Sequence, residues 1–132
     1  MRDQRDGARG LLLKASNDLF AAKTVIATGQ ALDTVAFHAQ QATEKSLKAL
    51  LILLGIEYPL THDVVALMDL AVEHYAPLSA YEAEMDKFAL YGVVVRYDQM
   101  ICPSLAEARE LLAVAQQVFD YASAVTEQGQ EP

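Results

Sequence analysis

Phe37-His38-Ala39-Gln40-Gln41-Ala42-Thr43-Glu44-Lys45-Ser46-Leu47-Lys48-Ala49-Leu50 is the stretch that decides the fold. At about 100° per residue, Ala36, Thr43, Leu47, Leu50 and Leu54 fall on one side of a helix, the pattern of a face packed into a core. His38, Gln41, Lys45 and Lys48 fall within about 80° of one another on the opposite side. This polar line is bordered by Ala42, Ala49 and Ile52 rather than by more charge, so it reads as a face that meets a partner or a ligand. Val35, Ala39, Leu53 and the same bordering residues carry apolar surface well round from the core side. A helix apolar over so much of its circumference is buried on more than one side, and a homodimer is the economical source of the second neighbour.

The segments on either side have the same period. Leu12, Ala15, Leu19, Ala22 and Ile26 are spaced 3, 4, 3, 4 and predict a first helix over about Arg9 to Ala27, closed by Thr28-Gly29-Gln30. Asp33 is the expected N-cap of the second helix, which Gly55 ends. After a loop containing Pro59, Thr61 is placed to cap a short third helix with Asp63 near its positive end, stopping near His74 before Pro77. Ser79-Ala80-Tyr81-Glu82 fits a capping box for a fourth helix reaching Arg96, with Val93-Val94-Val95 as its last turn. Ser104-Leu105-Ala106-Glu107, just after Pro103, fits a second box opening a final helix to Val125, with residues 126–132 fraying. Met68, Tyr81, Met85 and Phe88 read as core. The expected architecture is all-α: an antiparallel up-and-down four-helix bundle with one additional short helix, a single domain over 1–132 with its core at about 9–125.

Composition excludes several classes. In 132 residues, 53% are hydrophobic, with 6 Gly, 4 Pro and no Trp, which favours helix over strand. The formal charge of −8 argues against a general nucleic-acid binder, DNA included, since non-specific affinity comes mainly from Lys and Arg neutralising phosphates, so any polyanion must meet a local patch. Between Lys23 and Lys87 the only Lys or Arg residues are Lys45 and Lys48, both on the polar line. With Cys102 alone there is no intramolecular disulfide and no thiolate cluster, which points to the cytoplasm. The apolar run Ala49 to Leu54 falls far short of the roughly 20 residues that span a bilayer, so no membrane association is expected.

The string Phe37 to Ala49, followed by Thr61-His62-Asp63 and then Val95-Arg96-Tyr97-Asp98, resembles the HEPN family, helical domains named for proposed nucleotide binding in prokaryotes and higher eukaryotes. The resemblance extends over roughly Ala15 to Tyr121, and its specificity lies in three motifs occurring in order. It implies a bundle of four main helices and a short extra one, commonly dimeric. It also implies either a module that works with a separate nucleotidyltransferase chain, as in toxin-antitoxin-like pairs, or a metal-independent ribonuclease toxin. The ribonuclease members place a His a few residues beyond an Arg. Here Arg96 matches the Arg, but no His occurs from Tyr97 to Ser104, so the catalytic motif is incomplete.

The expected site gathers His38, Gln41, Lys45, Lys48, His62, Arg96 and Tyr97 round a nucleotide or an RNA phosphate. Lys45 and Lys48 at i and i+3 can both donate to anionic oxygen; alternatively Lys48 pairs with Glu44 at i, i+4 and Lys45 is solvated. His38 and His62 can bond a base, ribose or phosphate, or His62 can simply tie the loop at Tyr58-Pro59-Leu60 to a neighbouring helix. Arg96 and Tyr97 offer a guanidinium for phosphate and a ring for stacking, or a C-terminal cation and a buried ring. The three histidines show no metal-ligand spacing, no glycine-rich phosphate loop or Ser-His-Asp order is present, and neither a metal nor a cofactor is expected. The readings are therefore a non-catalytic nucleotide- or RNA-binding module, a divergent ribonuclease using Arg96 with His38 or His62, or a purely structural interaction module.

Overall fold

The computed structural model describes residues 3–58, 60–91 and 102–128. These form α1 (Gln4–Ile26), α2 (Leu32–Leu53), α3 (Val64–Val72), a 3₁₀ segment (Ala76–Glu84), α4 (Met85–Leu90) and α5 (Leu105–Gln128), with no strand among the described residues. The all-α fold expected from the sequence is the fold observed.

Helix α2 is the centre of the molecule, packed against α1, α3 and α5. Leu47, Leu50 and Leu51 are completely buried, each worth about 1.5–3 kcal/mol of apolar transfer. Val35, Ala39, Ala42 and Ala49 are equally buried within one chain. The breadth of apolar surface on α2 is thus met by its own neighbours, which corrects the argument that drew a homodimer from this helix. Its buried hydroxyls turn back on their own helix, Thr43 to the Ala39 carbonyl at 2.9 Å and Ser46 to the Ala42 carbonyl at 2.7 Å, so they cost little.

The helix ends show which local signals win. Gly55 follows α2 with φ +69°, the Ile56 N–H reaches the Leu51 carbonyl and the Gly55 N–H reaches Ile52, a Schellman closure. The positive φ is what favours glycine there; a Cβ would also stand 2.8 Å from the Gln4 amide nitrogen, the mobile end of a side chain that can turn aside. At Ser104 the reciprocal box forms: the Ser104 N–H donates to Glu107 Oε1 and the Glu107 N–H to Ser104 Oγ. That backbone bond, with a further bond from the Tyr91 hydroxyl, holds the Glu107 carboxyl below its usual range, while the same contact pushes Tyr91 up.

Four expected ends are corrected. Helix α1 starts at Gln4 rather than Arg9, because Asp3 caps it by accepting from the Asp6 N–H at 2.8 Å. Helix α2 starts one residue after Ala31, which takes a left-handed φ of +52°, so Asp33 lies inside the first turn and favours the dipole instead of capping it. Asp63, not Thr61, caps α3 by accepting from Val65 and Ala66, while Thr61 Oγ1 accepts from the Asp63 N–H. Helix α5 continues to Gln128, with Thr126 buried and bonded to the Ala122 carbonyl, where fraying was expected.

The expected fourth helix is the largest correction. Helical structure begins at Ala76, as a 3₁₀ segment with Pro77 in its first turn, and converts to α only over Met85–Leu90. The Ser79–Glu82 pattern lies inside this segment and makes no cap. Tyr75 fixes the earlier start: its ring is buried edge-on against Tyr121, and its hydroxyl donates to the Leu50 carbonyl at 2.9 Å. Val93 to Arg96 lie outside the described residues. Among the expected core residues, Met68, Met85 and Phe88 are buried and Tyr81 is half-buried.

Candidate functional site

The polar line of α2 is organised by two carboxylates, one largely buried and one fully so. The first comes from α1, where Ala15, Asp18, Ala22 and Val25 share the edge that meets α2. Asp18 Oδ1 lies 2.8 Å from His38 Nδ1, and Oδ2 accepts from the Lys45 ammonium. The Asp18 side chain is 11% exposed, His38 29% and Lys45 23%. A carboxylate at Nδ1 fixes the tautomer: Nδ1 carries the proton and Nε2 is the lone pair of the neutral ring. No described residue bonds Nε2.

The second carboxylate is Glu44 of α2, with only 4% of its side chain exposed. Its two oxygens each lie 3.1 Å from His62 Nδ1, and Oε2 accepts from Lys48 Nζ at 2.9 Å. The Lys48 ammonium also stands 5.4 Å from the centre of the Tyr58 ring, a cation–π contact that shields it further. Gln40 donates to the His62 carbonyl at 3.4 Å, while its own Oε1 is buried without a partner among the described residues. The His62 ring itself is 67% exposed.

These contacts settle where the expected residues lie. His38 and Lys45 are brought together by Asp18, and Lys48 and His62 by Glu44. Gln41 lies between the two sets on the wheel, half-buried and with no hydrogen bond among the described residues. The i, i+4 pair of Glu44 and Lys48 forms, and His62 does tie its loop to α2. Arg96 and Tyr97 lie outside the described residues. Asp18 and Gln40 escaped the sequence reading. The signal for Asp18 was present as a lone acid in an otherwise apolar row, Ala15, Asp18, Ala22, Val25, at helical spacing.

Electrostatically, each set contains one carboxylate, one ammonium and one imidazole, and sums to zero while the imidazole is neutral. Neither lysine is a free point charge. Each ammonium is bonded to its carboxylate, and losing the carboxylate leaves its partners uncompensated. Beside the Glu44 set, Gln4, Ile52, Ile56, Glu57, Tyr58 and Leu60 line an open groove of about 480 Å³, with Leu60 fully exposed. Among the described residues no group of three or more His, Cys, Asp or Glu side chains could hold a metal. No helix among them is long and apolar enough to cross a membrane.

The HEPN domain family model matches residues 8–125. In three dimensions the chain is similar to the crystal structure of an archaeal HEPN homologue, with a TM-score of 0.72 and 19% identity over 96% of this chain and 99% of that one. No curated protein sequence matches this chain.

Proposed function

The chain belongs to the HEPN domain family, and from that premise we propose that it is a non-catalytic nucleotide- or RNA-binding helical module whose phosphate site is the outward line of α2. His38, Gln41, Lys45, Lys48 and His62 form the site, with Arg96 and Tyr97 of the family motif completing it. The observation that carries this reading is the pairing of an imidazole with an ammonium on each of two buried carboxylates, Asp18 and Glu44. Carboxylates nine-tenths buried are costly to keep unless they position something, and here each positions a donor-rich cation set at the surface. The groove next to Tyr58 gives a base or ribose somewhere to lie beside that set.

In this reading the module works with a separate nucleotidyltransferase chain as a two-protein, toxin-antitoxin-like pair. It acts as a homodimer through exposed apolar side chains such as Leu13 and Phe20 on the outer face of α1. Calorimetry with ATP, GTP and short RNA tests the binding. Wild-type protein binds at least one of them, and a Lys45→Ala, Arg96→Ala double variant loses at least about tenfold in affinity, the scale of a charge-assisted bond. Absence of binding by the wild type, or binding unchanged in the double variant, overturns the reading.

A further inference from the structure

From the Asp18 set we infer that phosphate binding on α2 is coupled to uptake of a proton by His38, and that Asp18 is the positioning residue that imposes this coupling. The inference rests on the phosphate-binding reading above and names how that same site is regulated.

The chemistry follows from one hydrogen bond. His38 Nδ1 lies 2.8 Å from Asp18 Oδ1. A carboxylate only accepts, so the Nδ1 proton is committed to it. In the neutral ring Nε2 is then a lone pair, and a phosphate oxygen is also an acceptor, so the two repel. Nε2 can donate to phosphate only after the ring takes a second proton and becomes imidazolium.

Charge counting leads to the same place. The groups that face His38 are Asp18 from α1 and Lys45 from α2, and these two neutralise each other. Phe37 adds the edge of its ring, with centroids 5.3 Å apart, and no charge. No other charged side chain among the described residues bonds to any of the three. Further round the same side of α2, Glu44 and Lys48 likewise cancel. In a chain of formal charge −8, the described groups on the line of α2 carry no net positive charge toward an anion until an imidazole is charged. Protonation of His38 makes its set +1 and turns Nε2 into a donor in a single step. The proton comes from solvent, stays on Nε2 while the anion is bound, and returns to solvent on release.

The sign of the pH response therefore identifies what the ligand presents. An anionic acceptor binds with proton uptake and weakens as pH rises. A ligand offering a hydroxyl or amine hydrogen to Nε2 would bind the neutral ring and weaken as pH falls.

The test is calorimetric titration of the full chain between about pH 5 and 8, the range in which histidine changes charge. It is run in buffers of different ionisation enthalpy so that proton uptake is read directly. The probes are a short RNA lacking terminal phosphates, whose diesters keep a fixed charge, and ATP corrected by a protein-free titration. Wild type is expected to take up close to one proton per site, with affinity falling up to about tenfold per pH unit on the alkaline side. His38→Gln removes both effects. Asp18→Asn, which keeps the shape, leaves Lys45 without its counter-charge and lets the ring place its proton on Nε2. Its binding above neutral pH tightens and its pH slope flattens, whereas a merely structural aspartate would weaken binding and leave the slope alone. Binding by wild type with no proton uptake, or with a slope that survives Asp18→Asn, overturns the coupling and leaves the binding reading standing. No binding of either probe at any pH removes the reading itself, and the coupling with it.

Discussion

Asp18 and Glu44 keep the same company, a histidine Nδ1 and a lysine ammonium, yet they do different things to the molecule. Asp18 stands on α1 and takes both partners from α2, so it staples two long helices whose relative position is already fixed by Leu12, Ala15 and Leu19 below it. Glu44 stands on α2, takes Lys48 from its own helix, and takes His62 from the loop before α3. One carboxylate orients an imidazole between rigid elements, and the other latches a loop. Buried acids of identical chemistry thus act as a sighting device or as a catch according to whether the histidine comes from a helix or from a loop.

Substitution of each acid tests that distinction most strongly. Glu44→Ala leaves Lys48 within the protein without its carboxylate and is expected to cost about 3 kcal/mol in urea unfolding. Asp18→Ala costs about 1 kcal/mol, because His38 and Lys45 are exposed enough to turn to water. Equal losses would break the comparison.

Ligand binding orders the two sets the other way. Lys45→Ala frees the Asp18 charge beside the phosphate and lowers ATP affinity about tenfold, a loss of about 1.4 kcal/mol, and Lys48→Ala has the smaller effect. A larger effect from Lys48 would move the site to the Glu44 set and the groove at Tyr58.

The latch itself is read by hydrogen exchange. Asp63→Ala removes the N-cap of α3 at a cost of about 1 kcal/mol. His62→Ala releases the loop and speeds exchange at the Val65 and Ala66 amides without altering exchange along α1 and the first half of α2. His38→Ala leaves the α3 amides as they are. If both histidine variants accelerate the same amides, the two sets are one unit.

The smallest effect lies outside both sets and calibrates them. Hydrogen bonds hold Glu107 and Glu127 below their ordinary 4.5 in the folded state, so each contributes stability above 4.5 that is lost as pH falls through its folded value. Tyr91 is raised above its ordinary 10.0, so its contribution is present below 10.0 and is lost as pH rises through its folded value. Ser104→Ala removes the hydroxyl's contribution to the Glu107 shift while keeping the backbone N–H that contributes most, and is expected to flatten part of the acid limb by a small amount, followed by unfolding at about pH 3 to 6, a window of about one unit or more on either side of the carboxylate value.

Most of the helices were legible because apolar period is a property of many residues at once. Leu12, Ala15, Leu19 and Ala22 locate α1 whichever residue begins it. Helix ends depend on one or two residues, and there the outcome turned on what else lay nearby. The same Ser-x-x-Glu pattern forms a cap at Ser104 and none at Ser79, because Tyr75 and Pro77 had already started the helical segment. The half of the site on α2 was visible as a stripe. Its other half was not, since pairing Asp18 with His38 joins residues on two different helices, and a single-helix wheel cannot show it. The breadth of α2 was read as a second copy for a related reason: the pattern records that a face is covered and is silent on whether α3 and α5 or another chain covers it.

The claim that the α2 line receives phosphate through His38 is tested most directly by the ¹⁵N resonances of the histidine rings in the full chain, with and without saturating ATP. Without ligand, the neutral rings of His38 and His62 should carry their proton on Nδ1 and their lone pair on Nε2. With ATP, His38 should keep its Nδ1 proton and gain one at Nε2. A His38 ring that ignores bound ATP, or that carries its proton on Nε2 from the start, would contradict the account.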